Sequence, residues 1–598
     1  MLVYGDAERI EGTRERIDDL ERALAGCSGL ASGIERHGAL VAAFILAAEL
    51  VQGLADAAFA ARGCDAGSAA EDEGLRLLMG LAGAVDRSWR SGFADPGALP
   101  GGPLDGLRRL DLPPAIRAKQ AEGYAFYALY PEAYLEAARG LAGVSPVRVI
   151  GIRSIGVGLA ALVAAALGAP APLTVRPVGH PFQRRLSVSP ERAAAIRAEA
   201  GATFAIVDEG PGLSGSSFGA VADWLEANGV ARERIHAFPS HRGDLGPQAS
   251  AAHRERWAAL PRHVVDFEDL VLRASAPAHR LESWAADLVG PALAPLEDLS
   301  GGAWRERVHR DEAEWPAANI QQERRKVRLC TPSGLWLLKF AGLGREGAAK
   351  AERGRRLFEA GFTPETAGFR HGFLVERWVE DATPIDLARL DRPAFLDWIA
   401  RYLAFRARHL PASRTRGAGA GDLLAMARHN AGQALGEEAA SALGAWEARV
   451  PALEAAIRRV DTDNRLHVQE WLQRRDGSFL KTDALDHSAA HDLVGCQDIA
   501  WDVAGAAVEL NLSEDETAAL RAAVGRGSGH PVDPDLLAFC RVAYPAFQLG
   551  AATLAAQALA GCPAEAARLR RAAERYGRSL RERLAVPAIT RPRFVPAG

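Results

Sequence analysis

The spacing of apolar and polar positions divides the chain into three stretches. Up to about residue 140 the pattern is helical. Positions 14–24 are charged and amphipathic, and positions 37–61 repeat apolar residues at helical spacing with Glu49 and Asp56 as the only acids. A loop rich in Asp, Gly and Pro over 93–105 leads to a predicted helix over 114–140, in which Tyr124, Phe126, Tyr127, Tyr130 and Tyr134 cluster. Those rings either pack against the next region or wall a pocket for a planar ring.

From 145 to about 290 the pattern alternates. Strands are predicted over 147–152, 173–176, 203–207 and 235–238, and helices over 160–167, 190–200 and 218–228. Such alternation predicts a parallel sheet with helices on both faces. The uncharged run 155–175 is long enough to cross a bilayer, but Pro170, Pro172 and several glycines favour a buried helix and a turn. A Pro- and Gly-bearing segment at 292–302 marks a domain junction. Beyond it lie strand-like runs at 326–330 and 335–340, a helix over 347–360, a strand over 372–379 and a mainly helical remainder from about 384. The predicted organisation is a helical hood (1–140), a parallel α/β core (141–295) and an α+β two-lobed unit (303–598, its lobes meeting near 380).

The 598 residues are 48% hydrophobic and 24% charged, a globular composition. Lys plus Arg is 71 against 75 for Asp plus Glu. That balance gives no basic excess for nucleic acid and favours small-molecule work. None of the six cysteines has C-x-x-C spacing, so they read as buried thiols of a reducing compartment. The N-terminus lacks a basic segment followed by an apolar core. A soluble, cytoplasmic protein without a membrane partner is expected; oligomeric state is not encoded legibly.

Candidate chemistry enters at Phe204-Ala-Ile-Val-Asp-Glu-Gly-Pro-Gly-Leu-Ser-Gly-Ser-Ser217. A hydrophobic strand ends in Asp208 and Glu209, then a small-residue loop precedes a helix. Small residues let backbone N–H groups approach phosphate oxygens, and the helix N-terminus adds its dipole. The run nearly spells a Walker A loop, but Ser216 stands where the lysine would be. This segment resembles the PRPP-binding motif of type I phosphoribosyltransferases. The resemblance implies that Asp208 and Glu209 hold the ribose hydroxyls and that Gly212, Leu213, Ser214, Gly215, Ser216 and Ser217 hold the 5-phosphate. Upstream, Gly151-Ile-Arg-Ser-Ile-Gly-Val-Gly158 resembles the family's pyrophosphate loop, with Arg153 and Ser154 as ligands. Arg176, Arg184 and Arg185 sit where the family has its mobile catalytic loop, and Arg184 is the candidate catalytic cation. The phosphate loop is one residue longer than is common in the family.

A second constellation lies downstream. Lys339 sits on a predicted strand and Glu352 on the next predicted helix, a pairing that orients ATP phosphates. Later come His467-Val-Gln-Glu-Trp-Leu, the turn Arg475-Asp-Gly477, Phe479-Leu-Lys-Thr-Asp483 and Gly495-Cys-Gln-Asp-Ile-Ala-Trp-Asp-Val-Ala504. This order is similar to the aminoglycoside-phosphotransferase and choline-kinase group of protein-kinase-like enzymes. The resemblance implies Mg²⁺ on Asp483 and Glu470, ATP on Lys339 and Glu352, and a buttress at Asp498 or Asp502. It also puts Arg465 where the family has its catalytic-loop Asp. His467, Asp486 and His487 are alternative bases, and His487 and His491 with Asp483, Asp486 and Asp492 form a dense cluster that suits Mg²⁺ or a transition metal.

Two functions follow as expectations. One is a bifunctional enzyme that transfers phosphoribose from PRPP to a base-like nitrogen, with Mg²⁺, and phosphorylates a related metabolite with ATP. The other is a regulatory protein that binds PRPP or a nucleotide beside a pseudokinase. Phosphorolysis or hydrolysis at the same site is a third outcome of the first motif.

Overall fold

The computed structural model describes residues 1, 8–100, 102–246, 249–489 and 494–585. Strand β1 (Glu8–Gly12) precedes helices α1 (Thr13–Ser28), α2 (Ile34–Arg62), α3 (Ala69–Arg90) and α4 (Gly102–Arg109). α2 is apolar on every face, with Leu40, Val41, Phe44, Leu50 and Val51 all fully buried. A helix of that kind has to be surrounded. It is long and apolar enough to cross a membrane, yet 78% of its most apolar window is covered by the rest of the protein.

The helix expected over 114–140 is replaced by three elements. Strand β2 (Ala115–Lys119) pairs antiparallel with β1, Glu8 opposite Lys119. It buries alternate residues, Ile116 and Ala118, which is the period of a strand. Helices α5 (Glu122–Phe126) and α6 (Pro131–Ala138) follow. Pro131 starts α6 afresh, because it has no N–H to continue a helix and fits a first turn.

The alternation downstream forms β3 (Val147–Ile152), α7 (Gly156–Leu167), β4 (Leu173–Val175), the hairpin of β5 (Val178–His180) and β6 (Gln183–Arg185), α8 (Pro190–Ala198), β7 (Thr203–Val207), α9 (Ser216–Ala227) and β8 (Ile235–Phe238). Strands β4-β3-β7-β8 make one parallel sheet in that order. Successive residues face opposite sides. Val147, Val149, Ala205 and Val207 join the large core around α2, whereas Ile150, Ile152, Phe204 and Ile206 join a smaller core with α8 and α9. α7 spans only 12 residues, so the uncharged run 155–175 is a core helix and a strand. Gly158 lets α7 lie against α2, since a Cβ there would sit 3.0 Å from the Ala48 side chain.

Short helices α10 (Ala251–Ala259), α11 (Leu281–Trp284) and α12 (Ala286–Val289) lead to β9 (Glu297–Asp298). After a segment at 299–325 that carries α13 (Arg305–Val308) come β10 (Lys326–Thr331), β11 (Gly334–Phe340), α14 (Gly344–Glu359), β12 (Thr366–Arg370) and β13 (Phe373–Arg377). They form an antiparallel sheet in the order β12-β13-β11-β10-β9. A small sheet of β14 (Ala382–Pro384), β15 (Trp471–Arg474) and β16 (Phe479–Lys481) follows. Helices α15 (Arg392–His409), α16 (Ala420–Leu435), α17 (Glu437–Ala442) and α18 (Val450–Ala456) precede its hairpin. Helices α19 (Ala500–Glu509), α20 (Glu514–Ser528), α21 (Pro534–Ala558) and α22 (Pro563–Ala585) follow it. This lobe has its own core around Trp398, Tyr402 and Trp471.

The segment 292–302 is built into the fold. It supplies β9, and the Leu293 N–H donates to the Cys330 carbonyl at 2.8 Å. Leu329, Trp336, Leu338, Phe340 and Phe373 of the antiparallel sheet share the core that holds α2. The N-terminal helices, one face of the parallel sheet and the antiparallel sheet therefore close on common apolar ground. Phe340→Ala is expected to cost about 3–5 kcal/mol and to lower hydrogen-exchange protection in α2 and in β10–β11 together. Loss of protection confined to the antiparallel sheet would show two separate cores.

Candidate functional site

The order β4-β3-β7-β8 makes the chain step outward first on one side of β3 and then on the other. A crevice opens between the ends of β3 and β7, the place where open α/β sheets bind ligands. A cavity of about 970 Å³ occupies it. One wall is Arg153, Ser154, Asp208, Glu209 and Gly212; a second is Phe126 to Tyr130; a third is Ser300, Gly301, Gln321, Glu323 and Arg325 from the antiparallel-sheet unit.

Asp208 follows β7, and its Oδ1 accepts the Glu209 N–H at 2.9 Å. The Tyr134 hydroxyl donates to the Asp208 carbonyl at 2.9 Å. Burial pushes the Asp208 carboxyl up to about 8 against that N–H bond, and the neighbouring Glu209 charge adds to the rise. Glu209 packs on α5 at Gly123, where a Cβ would lie 2.8 Å from its Oε1. Of the aromatic cluster, Phe126, Tyr127 and Tyr130 reach the cavity, whereas Tyr124 and Tyr134 are packed behind it.

The loop after Asp208 turns through Gly212 and Gly215, at φ of 64° and 63°, a backbone region that glycine enters without strain. Only Gly210 and Gly212 of this loop line the cavity; Leu213, Ser214, Gly215, Ser216 and Ser217 do not. The Ser214 and Ser216 hydroxyls instead donate to the Pro181 carbonyl at 2.9 and 2.5 Å. The tip of the β5–β6 hairpin thus sits on the loop. Arg153 is buried, its Nε 2.9 Å from Asp56 and its far nitrogen paired with Asp65. Arg176 also pairs with Asp56 and donates to the Arg153 carbonyl at 2.8 Å. Arg184, the expected catalytic cation, is not brought to the cavity. It lies opposite Gly179 in the hairpin and donates to the Gly179 carbonyl at 2.9 Å, and Arg185 is exposed.

The second constellation assembles between the antiparallel sheet and the helical lobe. Lys339 stands on the middle strand β11, with α14 following, the layout in which kinases carry their phosphate-binding lysine and partner helix. Its ammonium pairs with Asp483 and lies 2.5 Å from Asp486. Burial alone would lower the Lys339 pKa, but Asp483, Asp486 and Glu376 outweigh it and hold it raised. Glu352 is not the partner. The inward stripe of α14 is Gly347, Lys350, Arg353 and Leu357, spaced by three and four residues. Glu352 falls on the opposite face and pairs with Arg355 at 2.7 Å. Lys350 reaches Asp486 at 2.8 Å and Arg353 reaches Asp461 at 2.8 Å.

Asp483 has φ 54°, a strained value of the kind that clusters at functional sites. Ligand atoms of Glu470, Asp483 and His487 all lie within 4.8 Å of one another. Carboxylate oxygens suit Mg²⁺, so Asp483 and Glu470 fit that ion. Burial raises the Glu470 carboxyl to about 7 even though the Lys481 ammonium, 2.8 Å away, opposes it. His491 and Asp492 lie outside the described residues. Asp502 does buttress the loop: its carboxylate accepts the N–H groups of Asp463 and Asn464 at 2.8 and 2.9 Å. Asp498 accepts the Arg458 and Ala500 N–H groups, both at 2.9 Å. Arg465 follows at once, where an acid is expected. His467 is held well below its usual range by burial and lies 3.4 Å from the Tyr576 hydroxyl. Burial opposes protonation of His487, but Asp483 and Asp463 outweigh it and raise its pKa.

Lys350, Arg353, Asp461 and Asp463 were not singled out in the sequence. A signal existed for two of them: Lys350 and Arg353 interrupt an otherwise core-facing stripe, which is how a buried cation announces itself. Asp461 and Asp463 carried no comparable mark.

No protein-family model matches the sequence, and no curated protein matches it. Among solved structures, the choline kinase LicA from Streptococcus pneumoniae covers 42% of this chain and 89% of its own at 14% identity, with a TM-score of 0.29. A choline/ethanolamine kinase family protein from Mesorhizobium loti covers 43% and 90% at 15% identity, with a TM-score of 0.27. An ethanolamine kinase from Plasmodium vivax covers 51% and 85% at 11% identity, with a TM-score of 0.30. None of these comparisons supports the phosphoribosyltransferase resemblance of residues 145–240.

The raised Asp208 carboxyl has a consequence for stability. The folded chain keeps a proton there that the unfolded chain sheds above about pH 4, so stability falls as pH rises from about 4 through 8. In Asp208→Asn the drop in urea-unfolding free energy between pH 5 and pH 8.5 is expected to shrink by about 1–3 kcal/mol. An unchanged pH slope would contradict the buried, protonated carboxyl.

Proposed function

We propose that the chain is a bifunctional small-molecule transferase. The parallel-sheet site moves a phosphoribosyl group from PRPP to a base-like nitrogen. The second site moves the terminal phosphoryl group of ATP to a related metabolite. The observation that carries this reading is the cavity itself, because the strand ends of the parallel sheet and the segment 299–325 of the antiparallel-sheet unit wall the same space. A ligand gripped by Asp208 and Glu209 would touch both units. Phe126 links the two sites: it lines the cavity, Arg324 donates to its carbonyl at 2.7 Å, and the Lys350 ammonium lies 5.6 Å from its ring.

At the first site the nitrogen–C1 bond forms as the C1–oxygen bond to pyrophosphate breaks. The electron pair leaves with pyrophosphate, and the nitrogen's proton passes to solvent. Asp208 and Glu209 would hold the ribose hydroxyls while positive charge grows at C1. Asp208 would donate its proton to a ribose hydroxyl, or accept a hydrogen bond from one once deprotonated. Mg²⁺ neutralises diphosphate charge when bound. At the second site Lys339 would exchange its contacts with Asp483 and Asp486 for nucleotide phosphates, leaving Asp483, with Glu470, for the ion.

A second reading, a regulatory binder with a pseudokinase module, is favoured by the catalytic loop. Arg465 stands where the similar enzymes have an Asp. Asp463 is fully buried under Tyr402, with Lys481 3.5 Å away. Phosphoryl transfer leans on positioning and charge more than on a base, so activity itself decides between the readings.

Calorimetry with PRPP and Mg²⁺ tests the first site. Wild type is expected to bind, and the double variant Asp208→Asn with Glu209→Gln to bind at least about tenfold more weakly, or about 1.4 kcal/mol. No binding to wild type would remove the phosphoribosyl reading. For the second site, Asp483→Asn is expected to weaken Mg-ATP binding by about tenfold or more, while Glu352→Gln leaves it unchanged. If Glu352→Gln weakened ATP as much as Asp483→Asn, the placement of α14 against Lys339 would be wrong. Absence of phosphate transfer to any small molecule despite ATP binding would favour the regulatory reading.

A further inference from the structure

A buried cluster lies outside both sites. His37 is in the first turn of α2, Glu132 belongs to α6, and His371 occupies the turn between β12 and β13. All three side chains are 0% exposed. The Nε2 atoms of both histidines converge on the same oxygen, Glu132 Oε1, at 2.7 and 3.1 Å. Hydrogen bonding leaves the set incomplete, because Glu132 Oε2 and His371 Nδ1 have no partner. Buried polar atoms are rarely left so.

The surroundings aim these groups at one point. His37 Nδ1 lies 2.9 Å from the Ser88 hydroxyl, the type of outer partner that fixes a ligating histidine in the tautomer whose Nε2 lone pair faces a metal. His371 has φ 41°, a conformation that costs a non-glycine residue energy. Its carbonyl is held by the Tyr130 hydroxyl at 2.9 Å. One ligand atom from each of the three residues falls within 4.8 Å of the others. Two imidazole nitrogens and a carboxylate form a donor set suited to zinc, whereas magnesium and calcium prefer oxygen alone.

We infer that His37, Glu132 and His371 form a structural zinc site, with Glu132 supplying both carboxylate oxygens. Zinc would use the orphaned Oε2, and the His37 Nδ1–H would donate to Ser88. The ion would pin the antiparallel sheet to α2 and α6 from residues far apart in the chain. It stands apart from the Glu470, Asp483 and His487 group, and it needs neither proposed activity.

Metal analysis of the full-length protein after dialysis tests the site. One equivalent of zinc is expected per wild-type chain, retained in His487→Ala and lost in His371→Asn and in Glu132→Gln. Cobalt(II) added to metal-stripped wild type should give the visible absorption of a four-coordinate ion. Stripping should lower the melting temperature of wild type and leave that of His371→Asn unmoved. Wild-type protein that holds no more zinc than His371→Asn, both as isolated and after zinc is added back, would overturn the inference and leave a hydrogen-bonded histidine–glutamate pair.

Discussion

A helix apolar on every face cannot lie at a surface, and α2 imposes that constraint on the whole N-terminal half. Burying all sides of it takes more than one layer. α1, α3 and α7 cover part of it, β2 another part, and α14 with β12 of the antiparallel-sheet unit close the rest. The few polar groups on α2 then become fastenings, since a buried charge is tolerable only when paired. Glu49 takes Arg16 at 2.7 Å and Arg345, next to the start of α14, at 2.9 Å. Gln52 accepts the Lys119 N–H of β2 at 3.0 Å. Asp56 takes Arg153 and Arg176 behind the parallel sheet. One helix thereby fixes the separation of two units whose facing walls make the cavity.

The same fastenings shape the electrostatics of the cavity. In a pyrophosphate site, free arginines would meet the anion directly. Here Arg153 and Arg176 are held by Asp56 and Asp65, so their charge is spent on α2 and its following loop before any ligand arrives. Under the proposed phosphoribosyl reading, anion binding would depend on backbone N–H groups and on rearrangement around Asp56, and the Pro181 hairpin would have to release Ser214 and Ser216 before their hydroxyls could serve a phosphate. Acids dominate what faces the open space, with Asp208, Glu209, Asp266, Glu268, Asp298 and Glu323 among its lining. Some of that charge is already committed, since Glu268 pairs with Arg325 at 2.6 Å and burial favours the protonated form of Asp208.

Local signals carried much of the architecture. The strand–helix alternation at 145–240 fixed every strand of the parallel sheet, because each strand is a short apolar run bounded by turn residues. The apolar period of α2 was equally plain. What failed was register. The region 114–140 contains good helix formers, but the period-2 pattern of Ile116 and Ala118 and the pairing with a strand over a hundred residues away override them. Glu352 failed for a related reason: its spacing from Lys339 fits a strand-to-helix pair, but which face of α14 turns inward is decided by Leu357 and Gly347 against the sheet. Arg184 illustrates the limit for loops, because its segment forms a β-hairpin in which Arg184 lies opposite Gly179 and donates to its carbonyl. The His37, Glu132 and His371 cluster had no sequence signal, since its members come together only when the two sheets close on α2.

The loop of Asp463 to Arg465 bears on the proposed phosphoryl-transfer reading of the second constellation. Asp502 ties down two successive backbone N–H groups, those of Asp463 and Asn464, and one residue follows them directly. That residue is Arg465, a cation that cannot accept a proton. Asp463, two residues earlier, has the right chemistry but is closed over by Tyr402, Arg406 and Lys481, and its carboxyl is held low by Lys481 despite its burial. Burial pushes Glu376 and Glu470 the other way, to about 7, so these carboxyls, which titrate near neutral pH, lie outside the loop of Asp463 to Arg465. If the proposed kinase-like reading holds, its transfer step would rely on an acceptor that arrives already nucleophilic, or on Glu470 once Lys481, 2.8 Å away, turns aside.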